Sequence, residues 1–178
     1  APETDVGPVI DADAKAALEA HIVRLRAKGR VLAAVPLPEL AGHGTFVTPI
    51  AVEIDLVDLP GREVFGPVLH VVRYRAADLE RVLDAVAATG YGLTLGIHSR
   101  IERFAERVRA RLRVGNTYVN RNMIGAVVDA PPFGGSHLSG PGPKAGGPND
   151  LRRFALEPVV TVSTAASGGT ATLLSEEE

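Results

Sequence analysis

The stretch from residue 115 to residue 147, GNTYVNRNMIGAVVDAPPFGGSHLSGPGPKAGG, most narrows what this chain can fold into. Pro131, Pro132, Pro141 and Pro143 remove backbone donors and the glycines are entropically expensive to fix, so the segment cannot be a helix. It opens as a short strand, passes through Asn120-Arg121-Asn122 and becomes a long irregular loop. Backbone amides on such a loop can come close to a ligand. Met123, Ile124, Val127, Val128 and Phe133 are apolar residues that a solvated linker has little reason to carry.

Upstream, the hydrophobic spacing alternates between helix and strand periods. Ala14, Leu18, Ile22 and Leu25 share one helical face behind an Asp11/Asp13 cap, and Gly29 stops the helix. Residues 31–35 read as a short strand. Residues 46–54 read as another, interrupted by Pro49, which predicts an edge or bulged position. A loop holding Arg62-Glu63-Val64-Phe65-Gly66-Pro67 leads into an apolar strand over 68–74. A helix marked by Leu79, Leu83 and Val86 follows, then a strand over 93–98, a helix marked by Phe104, Val108 and Leu112, and a strand over 117–120. This β-α-β-α-β order predicts an α/β fold with a parallel-rich sheet and crossover helices. The loop after residue 120 then leaves from the edge where open α/β sheets hold ligands. Val159-Val160-Thr161-Val162 reads as a last strand, and residues 163–178 as a disordered acidic tail.

With 46% hydrophobic and 22% charged residues the chain has the composition of a soluble globular protein of one domain or a piece of one. A net charge of −2 gives no general pull toward nucleic acid or anionic membrane. The stripe Arg100, Arg103, Arg107 and Arg111 lacks the interleaved aromatics of a nucleic-acid surface and reads as a solvated or interface face. The absence of cysteine excludes disulfides, thiolate metal sites and a thiol nucleophile on this chain. It fits a cytoplasmic setting. The five histidines show no H-x-x-x-H or H-E-x-x-H spacing, so no metal is expected. Gly140-Pro141-Gly142-Pro143-Lys144 matches no phosphate-loop pattern, and Lys144 reads as a solvated lysine or an interface charge.

Several blocks in register, DVGPVID, REVFGPVLHVVRY, GNTYVNRNMIGAVV, PPFGG and LSGPGPKAGGP, resemble the C-terminal part of the aldehyde dehydrogenase domain of the bacterial proline utilization A family, the glutamate-semialdehyde (pyrroline-5-carboxylate) dehydrogenase. The resemblance spans roughly residues 5–162. It implies a catalytic-domain portion over 1–162 that lacks the nucleophile and the dinucleotide-binding domain, and hence a fragment of a longer polypeptide. In the family a cysteine attacks the aldehyde, hydride passes to NAD and water releases the acid. The isolated chain, having no thiol, is expected to be inactive.

The resemblance also implies roles for single residues. Glu63 would accept hydrogen bonds from the nicotinamide-ribose hydroxyls and Phe65 would pack beside the nicotinamide, since a carboxylate suits a vicinal diol and an aromatic face a flat heterocycle. Without the resemblance, Glu63 is a solvated acid and Phe65 a core plug. Gly125 and Ala126 would hold the substrate α-carboxylate through main-chain amides, which a Cβ branch would keep at a distance; a tight turn explains them equally. Phe133 would wall the aldehyde tail, or else fill the core. Asp129 departs from the glycine expected there and would repel a carboxylate if it faced inward. Partners implied are the rest of the dehydrogenase polypeptide, glutamate semialdehyde or glutamate, and a second subunit joined through the C-terminal strand. A non-catalytic scaffold or lid, or an independent small-carboxylate-binding module, are the alternatives.

Overall fold

The computed structural model describes residues 5–124, 131–140 and 142–163. Helix α1, Ala12–Lys28, begins where the Asp11 side chain accepts the Ala14 N–H at 2.7 Å, which satisfies one of the free donors of the first turn. It ends where Gly29 N–H reaches Leu25 O. Leu18, His21 and Leu25 form its buried stripe. Strand β1, Arg30–Ala34, returns antiparallel to β2, Ile50–Glu53, and β2 pairs parallel with β3, Val68–Val71. Ile50, Val52 and Ile54 bury their side chains with Leu25 of the helix, and Val52 is completely enclosed.

Of the edge or bulged position expected for the Pro49 strand, the edge is overturned, because β2 is the central strand of three, while the β1–β2 pair does carry a bulge-like register shift, between Val31 and Ala33 of β1. Pro49 lies just ahead of the ladder. Its carbonyl accepts from Val35 N–H, and the first donor the ladder needs, Ile50 N–H, reaches Pro67 O at 3.0 Å.

Helix α2, Leu79–Ala88, stops before Gly90 and leads through β4, Tyr91–Gly92, to β5, Thr94–Ile97. Helix α3, Glu102–Arg111, crosses over to β6, Asn116–Val119, which lies parallel to β5 in the register Thr94↔Asn116 to Ile97↔Val119. Leu79 and Leu83 of α2, Ala105 and Val108 of α3, Ile97 and Leu112 make the core of this half. Outside it, Arg107 and Arg111 of the arginine stripe pair with Glu80 and Asp84 across the two helices. Such exposed pairs contribute little each, so the stripe is a solvated helix-to-helix face.

Strand β7, Ser136–His137, pairs antiparallel with β4. The architecture is α/β. Among the described residues the strands fall into three small sheets, β1-β2-β3, β5-β6 and β4-β7. Parallel pairing of β3 with β5 is not among them. The strand expected at 159–162 is also not present in this chain: Val159, Val160 and Val162 are exposed at 89%, 83% and 67% in a segment without regular structure. High β-propensity gives a strand only where a neighbouring edge takes up the backbone hydrogen bonds. Residues 164–178, most of the expected acidic tail, lie outside the described residues. No described helix is long and apolar enough to cross a membrane.

Candidate functional site

The REVFGP loop joins the 3-10 turn at Leu56–Asp58 to β3. Its root is fixed at Pro67, whose carbonyl serves the β2 ladder, and at Gly66, where a Cβ would come within 2.5 Å of the Leu18 side chain on α1. Only glycine lets the loop sit this close to the helix. Above that root Glu63 is exposed and Phe65 is 77% exposed. Phe65 is therefore no core plug in this chain. A carboxylate and an aromatic ring two residues apart are thus both held out to solvent by a seated loop.

Beside this loop lies a cavity of about 300 Å³ lined by Arg24, Lys28, Asp58, Arg62 and Val64, with His21 at its wall. His21 Nε2 stands 2.8 Å from His70 Nε2, joining α1 to β3, so one ring donates while the other accepts. Burial pushes both rings below the ordinary histidine range, and the charges of His70 and Arg24 add to the effect on His21. Sequence reasoning missed this pair. The partners are 49 positions apart, and on α1 His21 occupies a place in the buried stripe between Leu18 and Leu25 that the apolar pattern does not flag.

The glycine-proline segment is anchored on β4 and β6. Phe133, half-buried, exchanges backbone hydrogen bonds with Ala145, at 3.1 Å from its N–H and 3.0 Å to its carbonyl. Asn116 of β6 is 7% exposed; its Nδ2 donates to Pro132 O at 3.0 Å and its Oδ1 accepts from Gly134 N–H at 3.1 Å. Lys144 donates through Nζ to the Gly115 carbonyl, which corrects its reading as a solvated lysine or an interface charge. A flexible cation reaching back to a strand-end carbonyl closes the segment on itself.

At the other end of β6 the chain turns through Asn120, whose φ of 53° lies in the left-handed region that asparagine tolerates better than most residues. Its side chain accepts from Ser99 N–H at 2.9 Å and donates to Ser99 O at 2.8 Å, locking the C-terminal ends of β5 and β6 together. Gly125, Ala126 and Asp129 follow from this lock but lie outside the described residues. The structure thus places Glu63 and Phe65 on one loop and Phe133 on a second loop held by β6. Among the described residues no three His, Cys, Asp or Glu side chains gather as a metal site.

Residues 1–158 match the model of the aldehyde dehydrogenase family, and the chain belongs to that family. The bifunctional protein PutA of Rhizobium meliloti is 54% identical over 150 residues, which are 84% of this chain and 12% of that protein. The 1-pyrroline-5-carboxylate dehydrogenase of Bacillus subtilis is 35% identical over 152 residues, 84% of this chain and 29% of that enzyme. In three dimensions a mutant of proline utilization A from Bradyrhizobium japonicum matches with a TM-score of 0.80 and 58% identity, over 92% of this chain and 16% of that one. The chain therefore spans between about an eighth and a third of the lengths of these relatives.

Proposed function

We propose that this chain is the C-terminal portion of the catalytic domain of an NAD-dependent glutamate-semialdehyde dehydrogenase of proline catabolism, working in the cytoplasm. The observation that carries the reading is the seated REVFGP loop, which holds Glu63 and Phe65 out to solvent on a base fixed by α1 and β3. Relatives bearing the names PutA and 1-pyrroline-5-carboxylate dehydrogenase support it.

In this reading Glu63 accepts from the ribose hydroxyls and Phe65 flanks the nicotinamide, which when bound accepts the hydride from the substrate. The amides of Gly125 and Ala126 hold the α-carboxylate, and Phe133 walls the aliphatic tail and keeps water from it. The rest of the dehydrogenase polypeptide supplies the thiol and the general base. It also supplies the strands that join β3, β5 and β6 into one parallel sheet, whose free edges here are suited to further pairing. Residues 1–162 form the catalytic-domain portion and 163–178 a tail outside it. The exposed valines at 159–162 pair with a second subunit as an added strand.

The test is Glu63→Gln in the complete enzyme. Loss of a charged acceptor for two hydroxyls costs about 1.5–3 kcal/mol. The KM for NAD should therefore rise roughly tenfold or more, with the KM for glutamate semialdehyde little changed. An unchanged KM for NAD would sink the assignment of this loop to the cofactor.

A further inference from the structure

Four backbone groups surround Phe133: Pro132 O, Phe133 N–H, Phe133 O and Gly134 N–H. Two partners take all four. Ala145 pairs with the N–H and carbonyl of Phe133 itself, and the side-chain amide of Asn116 takes the carbonyl before it and the N–H after it. An amide offers one donor edge and one acceptor edge at a fixed spacing, so Asn116 stands in for a neighbouring strand on the side where β6 presents only a side chain. Asn116 is buried at 7% exposure against loop residues that are half-buried, and it is backed by the Lys144 bond to Gly115 O next to it. Gly115 presses against the same loop so closely that a Cβ there would overlap Gly134 O. A single aromatic residue is thus fixed along both backbone edges, which leaves its ring only the side-chain torsions to move.

We infer that Asn116 is a positioning residue of the dehydrogenase: it sets the Phe133 ring against the aliphatic tail of the aldehyde and so governs selectivity for the semialdehyde. The inference rests on the proposed function, since the wall is useful only if that substrate binds there. Asn116 does not touch the reacting atoms. Its influence runs through the Pro132-Phe133-Gly134 backbone, and removal of either edge of the amide leaves a half-buried carbonyl or N–H without that partner. Asn116→Asp keeps the acceptor for Gly134 N–H but turns an oxygen toward Pro132 O. Asn116→Leu removes both bonds at similar volume.

The experiment uses the complete enzyme with NAD and glutamate semialdehyde, and compares Asn116→Asp, Asn116→Leu, Phe133→Leu and the Asn116→Asp/Phe133→Leu double variant. The KM for the semialdehyde should rise about tenfold in both Asn116 variants, the effect of one or two lost hydrogen bonds, with the KM for NAD within about twofold. The double variant should be no worse than Phe133→Leu alone, because both changes act through one ring. Equal losses for NAD and semialdehyde, or additive effects in the double variant, overturn the positioning role, since a residue that serves only the fold gives that result. Should Asn116→Leu not fold, Asn116→Asp with its double variant decides alone. A wild-type enzyme that does not oxidise the semialdehyde overturns the proposed function and this role with it, whereas an active wild type with an unmoved semialdehyde KM in the variants overturns only the role of Asn116.

Discussion

Gly115 is the described glycine at which an added Cβ meets the closest backbone. A Cβ there would overlap Gly134 O and crowd Gly135, both backbone atoms of the loop that carries Phe133. Neither can yield as a side chain would, so Gly115→Ala should destabilise by about 1–3 kcal/mol, the usual cost of overpacking. Gly42→Ala, where the added carbon meets open space, is the control and should shift the urea midpoint little. Equal midpoints for the two variants would mean that the loop is not held against β6. Glu63 and Phe65 were singled out only through the resemblance carried by the REVFGPV block, since by residue type alone they read as a solvated acid and a core plug. Asn116 was not. A Gly-Asn pair reads as a turn, and the amide acquires its meaning only from Pro132 and Gly134, sixteen and eighteen positions on.

At the scale of elements, α1 and β3 are joined by the His21–His70 bond, and that junction should be sensitive to pH. Both rings titrate below the ordinary value of 6.5 in the folded chain, for which burial is the first cause. The unfolded chain therefore binds more protons between the folded and unfolded values. Stability contributed by the neutral pair is complete above pH 6.5 and is lost as pH falls through the folded values, with a slope of at most about 1.4 kcal/mol per pH unit for each ring. Two imidazolium rings also cannot share the bond, which needs one acceptor nitrogen. Denaturant titrations between pH 7.5 and pH 5 should show this slope in the wild type and a shallower one in His70→Asn. A flat wild-type profile would count against it. Helices such as α1 were legible because caps and apolar spacing are local, as the Asp11 and Gly29 boundaries bear out. Strand partners were less so: β2 took the centre of its sheet despite Pro49, and 159–162 formed no strand, since pairing depends on which edge is near rather than on the strand's own residues.

For the molecule as a whole, the deciding fact is what the chain does not carry beside what it exposes. Among the described residues two cores, one around Val52 and one around Leu83, enclose side chains well. Leu69 at 60% exposure, Phe65 at 77% and the valines at 159, 160 and 162 nonetheless face water. That pattern suits a piece that packs against further polypeptide, consistent with relatives several times its length. With no cysteine, no atom of this chain can form the thioester through which family members act. The purified chain, given NAD and glutamate semialdehyde, should therefore produce NADH at the blank rate. The complete polypeptide should turn over, and Glu63→Gln within it should retain turnover at saturating NAD. Cysteine-free turnover well above blank would show that the covalent route is not the one used here. That result would leave Glu63, Phe65 and Phe133 as parts of a different reaction.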